Sequence, residues 1–277
     1  MKTFISLFLV LAFCMSFAAC AKQDTATTTA PATTVDTTPK EPADLTGKTI
    51  IWNGDSICAG KAETGNWATR IAERNSMEFK NFSAHGGTIA DGLPLTQSGS
   101  ARHCVLNTVT KMYEDCPDAD YIIFEGGTND ADLLGNASSS TSKIGTVDPD
   151  DFGGSYRVNT FCGALESVFY MAKKQWPDKK IGFVIAQKMG DPREPIFANR
   201  RAYFDKAIEI CEKWDIPYID LWNDSELDPS NIAMYNVTKT PEENMNENVG
   251  YYLDGQHLTA KGYDVTAELI EAWLKTI

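Results

Sequence analysis

Three side chains from opposite ends of the sequence have the chemistry of a nucleophilic site. Ser56 follows a short β-branched segment, residues 48–53, in the tripeptide GDS. His257 is one of only three histidines and lies three residues after Asp254, in the sequence DGQH. Imidazole titrates near neutral pH and can take a serine proton, and a carboxylate can orient the ring and stabilise its cation. We therefore predict Ser56 as a nucleophile, His257 as its base and Asp254 as the orienting group.

Each of these residues also has a structural interpretation. Asp and Ser are common turn and helix-capping residues, so a GDS tripeptide alone does not distinguish a nucleophile from a cap. His257 could begin a final helix without any chemical role. The serine and the Asp-x-x-His together favour catalysis.

Two further segments could stabilise the oxyanion that forms when a serine attacks a carbonyl group. Asn129 lies in the sequence GGTND after the apolar residues 121–124, where its amide could donate into a crevice; the alternative is a cap or a turn. Residues 81–88, NFSAHGGT, contain the adjacent glycines Gly86 and Gly87. Glycine lets the backbone approach a ligand closely, although a simple turn explains this segment equally well when it is viewed alone.

The order of these segments resembles that of the SGNH (GDSL) hydrolases. GDS, N-x-x-x-x-G-G-T, GGTND and DGQHLTxxGY follow one another between Gly54 and Tyr263, which is nearly the whole domain. No single segment is decisive, but the four in order are specific. The resemblance implies a doubly wound sheet and ester hydrolysis without a metal or other cofactor.

Carried over residue by residue, the resemblance implies a triad of Ser56, His257 and Asp254. It also implies an oxyanion hole made by the backbone N–H groups of Ser56 and Gly86 and by the amide of Asn129. The second segment departs from the family pattern, since Ser83 stands where a glycine is common. Gly87 therefore stays an alternative to Gly86.

The elements that must position these residues alternate between strands and helices. We predict strands over residues 48–53, 77–83, 121–124, 181–186 and 216–222, and helices over 66–75, 102–115, 156–175, 198–214 and 259–275. Continuous apolar strands separated by helices predict an α/β fold, with a five-stranded parallel sheet between two helical layers. Residues 130–155 and 223–255 are polar and are predicted as long loops on the side of the ligand crevice.

Charge and composition narrow the classes of function. The sequence has 277 residues, 43% of them hydrophobic, and carries 25 Lys and Arg against 38 Asp and Glu, a net charge of −13. This acidity argues against nucleic acids and anionic membrane surfaces as partners. Three scattered histidines, with no HExxH and no CxxC, predict no metal site. Cys104 and Cys116 could form a disulfide, and the mid-helix pair Arg200–Arg201 is interpreted as a solvated face.

The N-terminal region is typical of an exported bacterial protein. Residues 1–20 combine Lys2, an apolar run and two alanines before Cys20, which predicts a lipoprotein-type signal peptide with the lipid on Cys20. A plain secreted protein is the alternative. Residues 21–46, rich in Thr, Ala and Pro, are predicted as a flexible linker, and residues 47–277 as the hydrolase domain. The lipid would be the only attachment to a membrane.

The polar loops suggest the kind of ester. A lipase for triacylglycerols would need a broad apolar entrance, whereas these loops are polar and acidic. They contain aromatic residues suited to sugar rings, although packing at the solvent edge is at least as common a role: Trp222, Tyr235, Tyr251 and Tyr252. We expect an exported esterase that deacetylates carbohydrates or other small polar esters. The alternatives are an acyltransferase or thioesterase with the same triad, or a non-catalytic, glycan-binding surface lipoprotein.

Overall fold

Five parallel strands form the centre of the fold. The computed structural model describes residues 41–91, 101–135, 144–190, 200–246 and 250–277, which belong to one unit beginning at Lys40. The strands lie in the order β2-β1-β3-β4-β5. Their bounds are Thr49–Asn53 (β1), Glu78–Asn81 (β2), Tyr121–Glu125 (β3), Lys180–Ile185 (β4) and Tyr218–Asp220 (β5). The chain moves from the middle of the sheet to one edge and then to the other, which confirms the predicted doubly wound α/β fold.

The burial of the strands explains why their sequences were recognisable. β3 is buried along its whole length, and β1 and β4 are exposed only at their first residues. Ile122 of β3 lies between Ile51 of β1 and Ile181 of β4. Helices cover both faces of such strands, so nearly every position must be apolar.

Nine helices occur in the described parts of the chain. They are Ser56–Ala59 (α1), Trp67–Asn75 (α2), Val105–Asp115 (α3), Thr128–Gly135 (α4), Phe161–Gln175 (α5), Arg200–Trp214 (α6), Leu221–Asp224 (α7), Pro241–Asn246 (α8) and Ala260–Leu274 (α9). α2 packs against α9, and α5 packs against both α3 and α6. These two sets of helices, α2 with α9 and α5 with α3 and α6, cover the sheet. The polar segments predicted as loops contain most of α4 and all of α8.

Three of the boundaries that differ from the prediction do so because side chains or bridges end or begin the elements. β5 stops at Asp220, whose carboxylate accepts a hydrogen bond from the N–H of Trp222 and starts α7. α5 begins at Phe161 rather than at residue 156, because the Thr160 hydroxyl caps it by accepting from the N–H of Gly163. α3 begins at Val105 because Cys104 still pairs with Thr88 in a β-bridge.

The disulfide that the sequence left open is not formed, since Cys104 and Cys116 are both free thiols. They flank the eleven residues of α3, one at each end. A helix rises about 1.5 Å per residue, whereas disulfide-bonded Cα atoms lie within about 7 Å of each other. The helix between them therefore keeps these cysteines apart.

The packed part of the chain begins before the predicted domain boundary at residue 47. The N–H of Ala43 donates to the carbonyl oxygen of Lys275 over 2.8 Å, and Leu45 is 1% exposed. The predicted linker, residues 21–46, thus ends in residues that pack onto the domain. The predicted signal peptide and Cys20 lie outside the described residues and stay predictions. None of the described helices has the length and apolar character needed to span a bilayer.

Candidate active site

Ser56 lies where the chain leaves the central strand. β1 ends at Asn53, and Ser56 is the first residue of the short helix α1, with 6% of its surface exposed. Asp55 caps this helix, because its Oδ1 accepts from the N–H of Ile57 at 2.8 Å. The capping interpretation of the GDS tripeptide is therefore correct for Asp55, and the cap fixes the turn that presents the serine.

His257 is held by a turn that precedes α9. Asp254 Oδ1 accepts from the backbone N–H groups of Gln256, at 3.1 Å, and His257, at 2.8 Å. Gly255 has φ +79°, and a Cβ there would lie 2.5 Å from the carbonyl oxygen of Gly190. Only glycine fits this position without strain. The turn brings the side chains of Asp254 and His257 together.

The structure brings the three predicted residues into one hydrogen-bonded chain. Asp254 Oδ2 lies 2.8 Å from His257 Nδ1, and His257 Nε2 lies 2.8 Å from Ser56 Oγ. A carboxylate only accepts hydrogen bonds, so Nδ1 carries the hydrogen of a neutral ring. Nε2 is then the acceptor for the Ser56 hydroxyl, which is the arrangement that a general base requires.

The electrostatics of Asp254 suit this arrangement. Burial by itself raises the pKa of Asp254, but the hydrogen bond and charge of His257 and the two backbone N–H groups outweigh it. The pKa of Asp254 consequently lies below its usual value, and the carboxylate stays charged at neutral pH. A charged acceptor at Nδ1 stabilises the imidazolium that forms when His257 takes a proton.

The two glycines of the second segment differ in how their N–H groups are used. Gly87 donates its N–H to the carbonyl oxygen of Ala84, at 3.0 Å, within the turn. Gly86 has φ +71° and its carbonyl accepts from Arg102, but its N–H meets no acceptor among the described residues. This favours Gly86 over Gly87 as a donor to a bound ligand.

Asn129 lies in the first turn of α4, directly beyond the end of β3. Its Nδ2 donates to the carbonyl oxygen of Gly87 over 2.8 Å, which ties the GGTND segment to the glycine turn. An amide NH2 carries two hydrogens, so this bond leaves one for a ligand. Asn129 therefore lies inside a helix, rather than in the cap or turn given as the alternative, and this position is compatible with a donor role.

A network that the sequence did not reveal connects α4 to the histidine turn. Arg200 was predicted on a solvated face, but it is 1% exposed. Its guanidinium binds both carboxylate oxygens of Asp132, at 3.1 and 2.8 Å, and Gln256 Oε1 at 2.9 Å. Asp132 lies 68 residues away, a separation at which sequence spacing gives no signal. Arg200 therefore couples the helix of Asn129 to the turn of His257.

Two of the four predicted sugar-binding aromatics are packed inside the protein instead. Tyr235 is 3% exposed and Tyr252 is fully buried, with its hydroxyl donating to the carbonyl oxygen of Lys188. Trp222 and Tyr251 are half-buried. The prediction of a ligand role is therefore wrong for Tyr235 and Tyr252, whose rings pack against each other.

A depression of about 240 Å³ adjoins the histidine turn. It is lined by Lys188, Met189, Gly190, Trp222, Asp228, Pro229 and Ser230. Gly190 connects it to the site, because its N–H donates to the carbonyl oxygen of Gly255 over 3.0 Å. A larger cavity of about 370 Å³, between residues 145 and 166, includes none of the three residues of the hydrogen-bonded chain. Among the described residues, no three His, Cys, Asp or Glu side chains converge as metal ligands would.

Residues 53–265, which include Ser56, Gly86, Asn129, Asp254 and His257, match the GDSL-like Lipase/Acylhydrolase family. The chain belongs to this family. The resemblance inferred from the four sequence segments is thereby confirmed. No protein with a curated description matches the sequence significantly.

Solved structures of similar fold extend over most of the chain. A protein from Lactobacillus plantarum has a TM-score of 0.60 at 18% identity, covering 84% of this chain and 98% of its own. A carbohydrate acetylesterase family member from Sinorhizobium meliloti has a TM-score of 0.52 at 14% identity, covering 82% and 99%. The lipase/acylhydrolase from Enterococcus faecalis has a TM-score of 0.50 at 17% identity, covering 83% and 96%. At these identities the likeness shows a shared fold.

Proposed function

We propose that this member of the GDSL family is a serine esterase in which Ser56 is the nucleophile, His257 the general base and Asp254 its orienting partner. The observation that carries the proposal is the chain of two 2.8 Å hydrogen bonds from Asp254 through His257 to Ser56. The three residues come from opposite ends of the sequence, and a binding protein would have no need of this alignment.

The reaction follows from the geometry. His257 Nε2 takes the Ser56 proton as Oγ attacks the ester carbonyl carbon, and a tetrahedral intermediate forms. Its oxyanion accepts hydrogen bonds from the N–H groups of Ser56 and Gly86 and from the remaining hydrogen of the Asn129 amide. His257 then protonates the leaving alcohol. Water, activated by the same ring, hydrolyses the acyl-enzyme and restores the serine.

The substrate we propose is an acetylated carbohydrate or another small polar ester. The depression beside the histidine turn supports this, because Lys188, Asp228 and Ser230 offer polar groups next to the half-buried ring of Trp222. A sugar ring presents hydroxyl groups at its edge and an apolar face, which suits such a lining. The fold shared with a carbohydrate acetylesterase family member is compatible with this substrate.

We further propose that the protein is exported and anchored by a lipid on Cys20. The support is the sequence of residues 1–20 and the polar linker that follows them. Cys20→Ala should move the protein from the membrane fraction to the soluble exported fraction. An unchanged membrane fraction in the variant would rule out the anchor.

The test of the esterase is hydrolysis of p-nitrophenyl acetate, butyrate and octanoate by the chain from Ala21, beside Ser56→Ala. We expect acetate to be cleaved fastest and Ser56→Ala to reduce turnover to background with an unchanged melting temperature. Activity that survives in Ser56→Ala would exclude this serine as the nucleophile. Faster cleavage of octanoate would exclude the polar substrate while leaving the mechanism intact. Product analysis with an added sugar alcohol would reveal acyl transfer in place of hydrolysis.

A further inference from the structure

Two acidic side chains lie directly behind the proposed nucleophile, away from water. Glu125 is the last residue of β3, and Asp55 precedes Ser56; both are fully buried. Glu125 Oε2 accepts from the backbone N–H of Asp55 at 3.1 Å, and Asp55 Oδ1 accepts from that of Ile57. A Cβ at Gly54 would lie 2.6 Å from Glu125 Oε2, so the glycine of the GDS tripeptide lets the carboxyl group lie against the turn.

The two carboxyl groups lie within hydrogen-bonding reach of each other. One oxygen of each, Asp55 Oδ2 and Glu125 Oε1, receives no hydrogen from any N–H or O–H donor among the described residues. An ionised carboxylate only accepts, so two ionised groups could not form this contact. A proton shared by the two carboxyl groups supplies the hydrogen that this contact requires.

The surroundings favour a pair in which one carboxyl group is protonated and neutral over a pair of two charged carboxylates. Burial is the largest effect on both groups and raises both pKa values, and the charge of Asp55 raises the pKa of Glu125 further. His257 and Arg200 attract the charge of Asp55 from a distance, without a hydrogen bond to it. The other titratable groups that face the pair are Cys58, Asp130 and Tyr263. None of these three supplies a positive charge.

We propose that Glu125 is a positioning residue that shares one proton with Asp55, so that the hydrogen-bonded pair fixes the turn of Ser56 and leaves a single negative charge behind it. Two N–H bonds, at Asp55 and Ile57, anchor the pair to the backbone on either side of the serine. The single charge attracts the imidazolium form of His257, in addition to Asp254. The role in turnover rests on the esterase function proposed above, whereas the shared proton does not.

Glu125→Gln and Glu125→Met separate the proton from the shape of the side chain. A glutamine amide donates to Asp55 as a protonated Glu125 does, and its oxygen still accepts the N–H of Asp55. We expect Glu125→Gln to keep kcat within about threefold of wild type at pH 7. Methionine fills the space without either hydrogen bond, so Glu125→Met should lower kcat about tenfold or more with little change in KM, since the nucleophile loses its alignment.

Infrared spectroscopy detects the proton itself. We expect the wild-type protein at pH 7 to show the carbonyl band of a protonated carboxyl group that is missing from Glu125→Gln. A difference spectrum without that band, or a Glu125→Met variant as active as wild type, would overturn the proposal. Should Glu125→Met not fold, the glutamine variant and its spectrum decide. If the wild type cleaves no ester, the esterase function fails while the infrared measurement still tests the shared proton.

Discussion

Buried acids occur in two regions of this protein, and they are accommodated in different ways. Far from Ser56, Glu166 of α5 pairs with Lys213 of α6, and both side chains are 4% exposed. The Lys213 ammonium also donates to the carbonyl oxygen of Asp151 and lies over aromatic rings. These rings belong to Phe152, Tyr156 and Trp214. This acid has a cation as its direct partner.

The acids near Ser56 are held by different means. Asp130 accepts from the N–H groups of Ile89 and Ala90 at 2.9 and 2.8 Å, and Asp55 and Glu125 are held by backbone N–H groups and by each other. Backbone N–H groups stabilise a carboxylate without adding a full positive charge. A lysine there would oppose the imidazolium form of His257 that the proposed reaction requires. The comparison teaches that, among the described residues, hydrogen bonds rather than a directly paired cation hold the acids near Ser56.

The largest effect is expected from removing the remote cation. Burial already raises the pKa of Glu166 despite its lysine, so Lys213→Met would leave a buried carboxyl group without its cation. We expect the free energy of unfolding to fall by about 3–5 kcal/mol, measured by urea denaturation at pH 7. The kcat of the folded variant should not change, because the pair does not touch the site.

The matched control replaces both partners. Glu166→Met together with Lys213→Met removes the charges and restores an apolar contact, which in other proteins is neutral or stabilising. The double variant should therefore regain most of the stability that Lys213→Met loses. If both variants lose the same free energy, the region depends on its aromatic packing rather than on the ion pair.

A smaller effect, visible through pH, is expected at Asp130. Burial raises its pKa to about 7, against 3.8 for the unfolded chain. The folded protein thus binds the Asp130 proton more tightly than the unfolded chain does. The stability that this bound proton provides is complete below pH 4 and is lost as the pH rises through 7. Between pH 5 and 8 this one group should lower the free energy of unfolding by about 2–3 kcal/mol.

Asp130→Asn tests that pH dependence, since an amide does not titrate. The variant is expected to be less stable at all pH values, because one of the two backbone N–H groups loses its acceptor. The decisive quantity is the change in unfolding free energy between pH 5 and 8. This change should be smaller in the variant by about 2–3 kcal/mol. Equal changes in the two proteins would mean that Asp130 stays ionised in the fold.

Parts of the fold that depend on neighbouring residues in the sequence could be predicted from short segments. β1, β3 and β4 were predictable because strands covered on both faces must be apolar throughout. Ser56 and His257 were predictable because few side chains supply their chemistry and the four segments come in order. The early end of β5 at Asp220 and the late start of α5 after Thr160 depend on single capping hydrogen bonds, which periodicity does not detect.

The groups that support the site could not be predicted from the sequence, for a different reason. Glu125 contacts a residue 70 positions away, and Arg200 contacts one 68 positions away. An acid at the end of a strand and an arginine within a helix are ordinary surface residues by type. Their burial follows from the tertiary arrangement alone. Sequence reasoning found the three groups of the hydrogen-bonded chain and missed those that hold them.

The smallest effect is expected from Arg200, a cation that bonds to the histidine turn. Its guanidinium joins Asp132 of α4 to Gln256 of the histidine turn. Lysine keeps the charge but cannot bind a carboxylate with two parallel hydrogen bonds. Arg200→Lys should therefore loosen the alignment of Asn129 with His257 and lower kcat about tenfold, with KM nearly unchanged. Steady-state kinetics on p-nitrophenyl acetate measure both constants.

A matched variant on the same helix separates alignment from charge. Arg201 is 28% exposed and pairs with Asp205 and Asp220, so Arg201→Lys should leave kcat unchanged. If Arg200→Lys also keeps its kcat, the alignment of the site needs only the charge of the arginine and not its geometry. A tenfold loss confined to Arg200→Lys would instead show that the two parallel hydrogen bonds of Arg200 hold Asn129 and His257 in alignment.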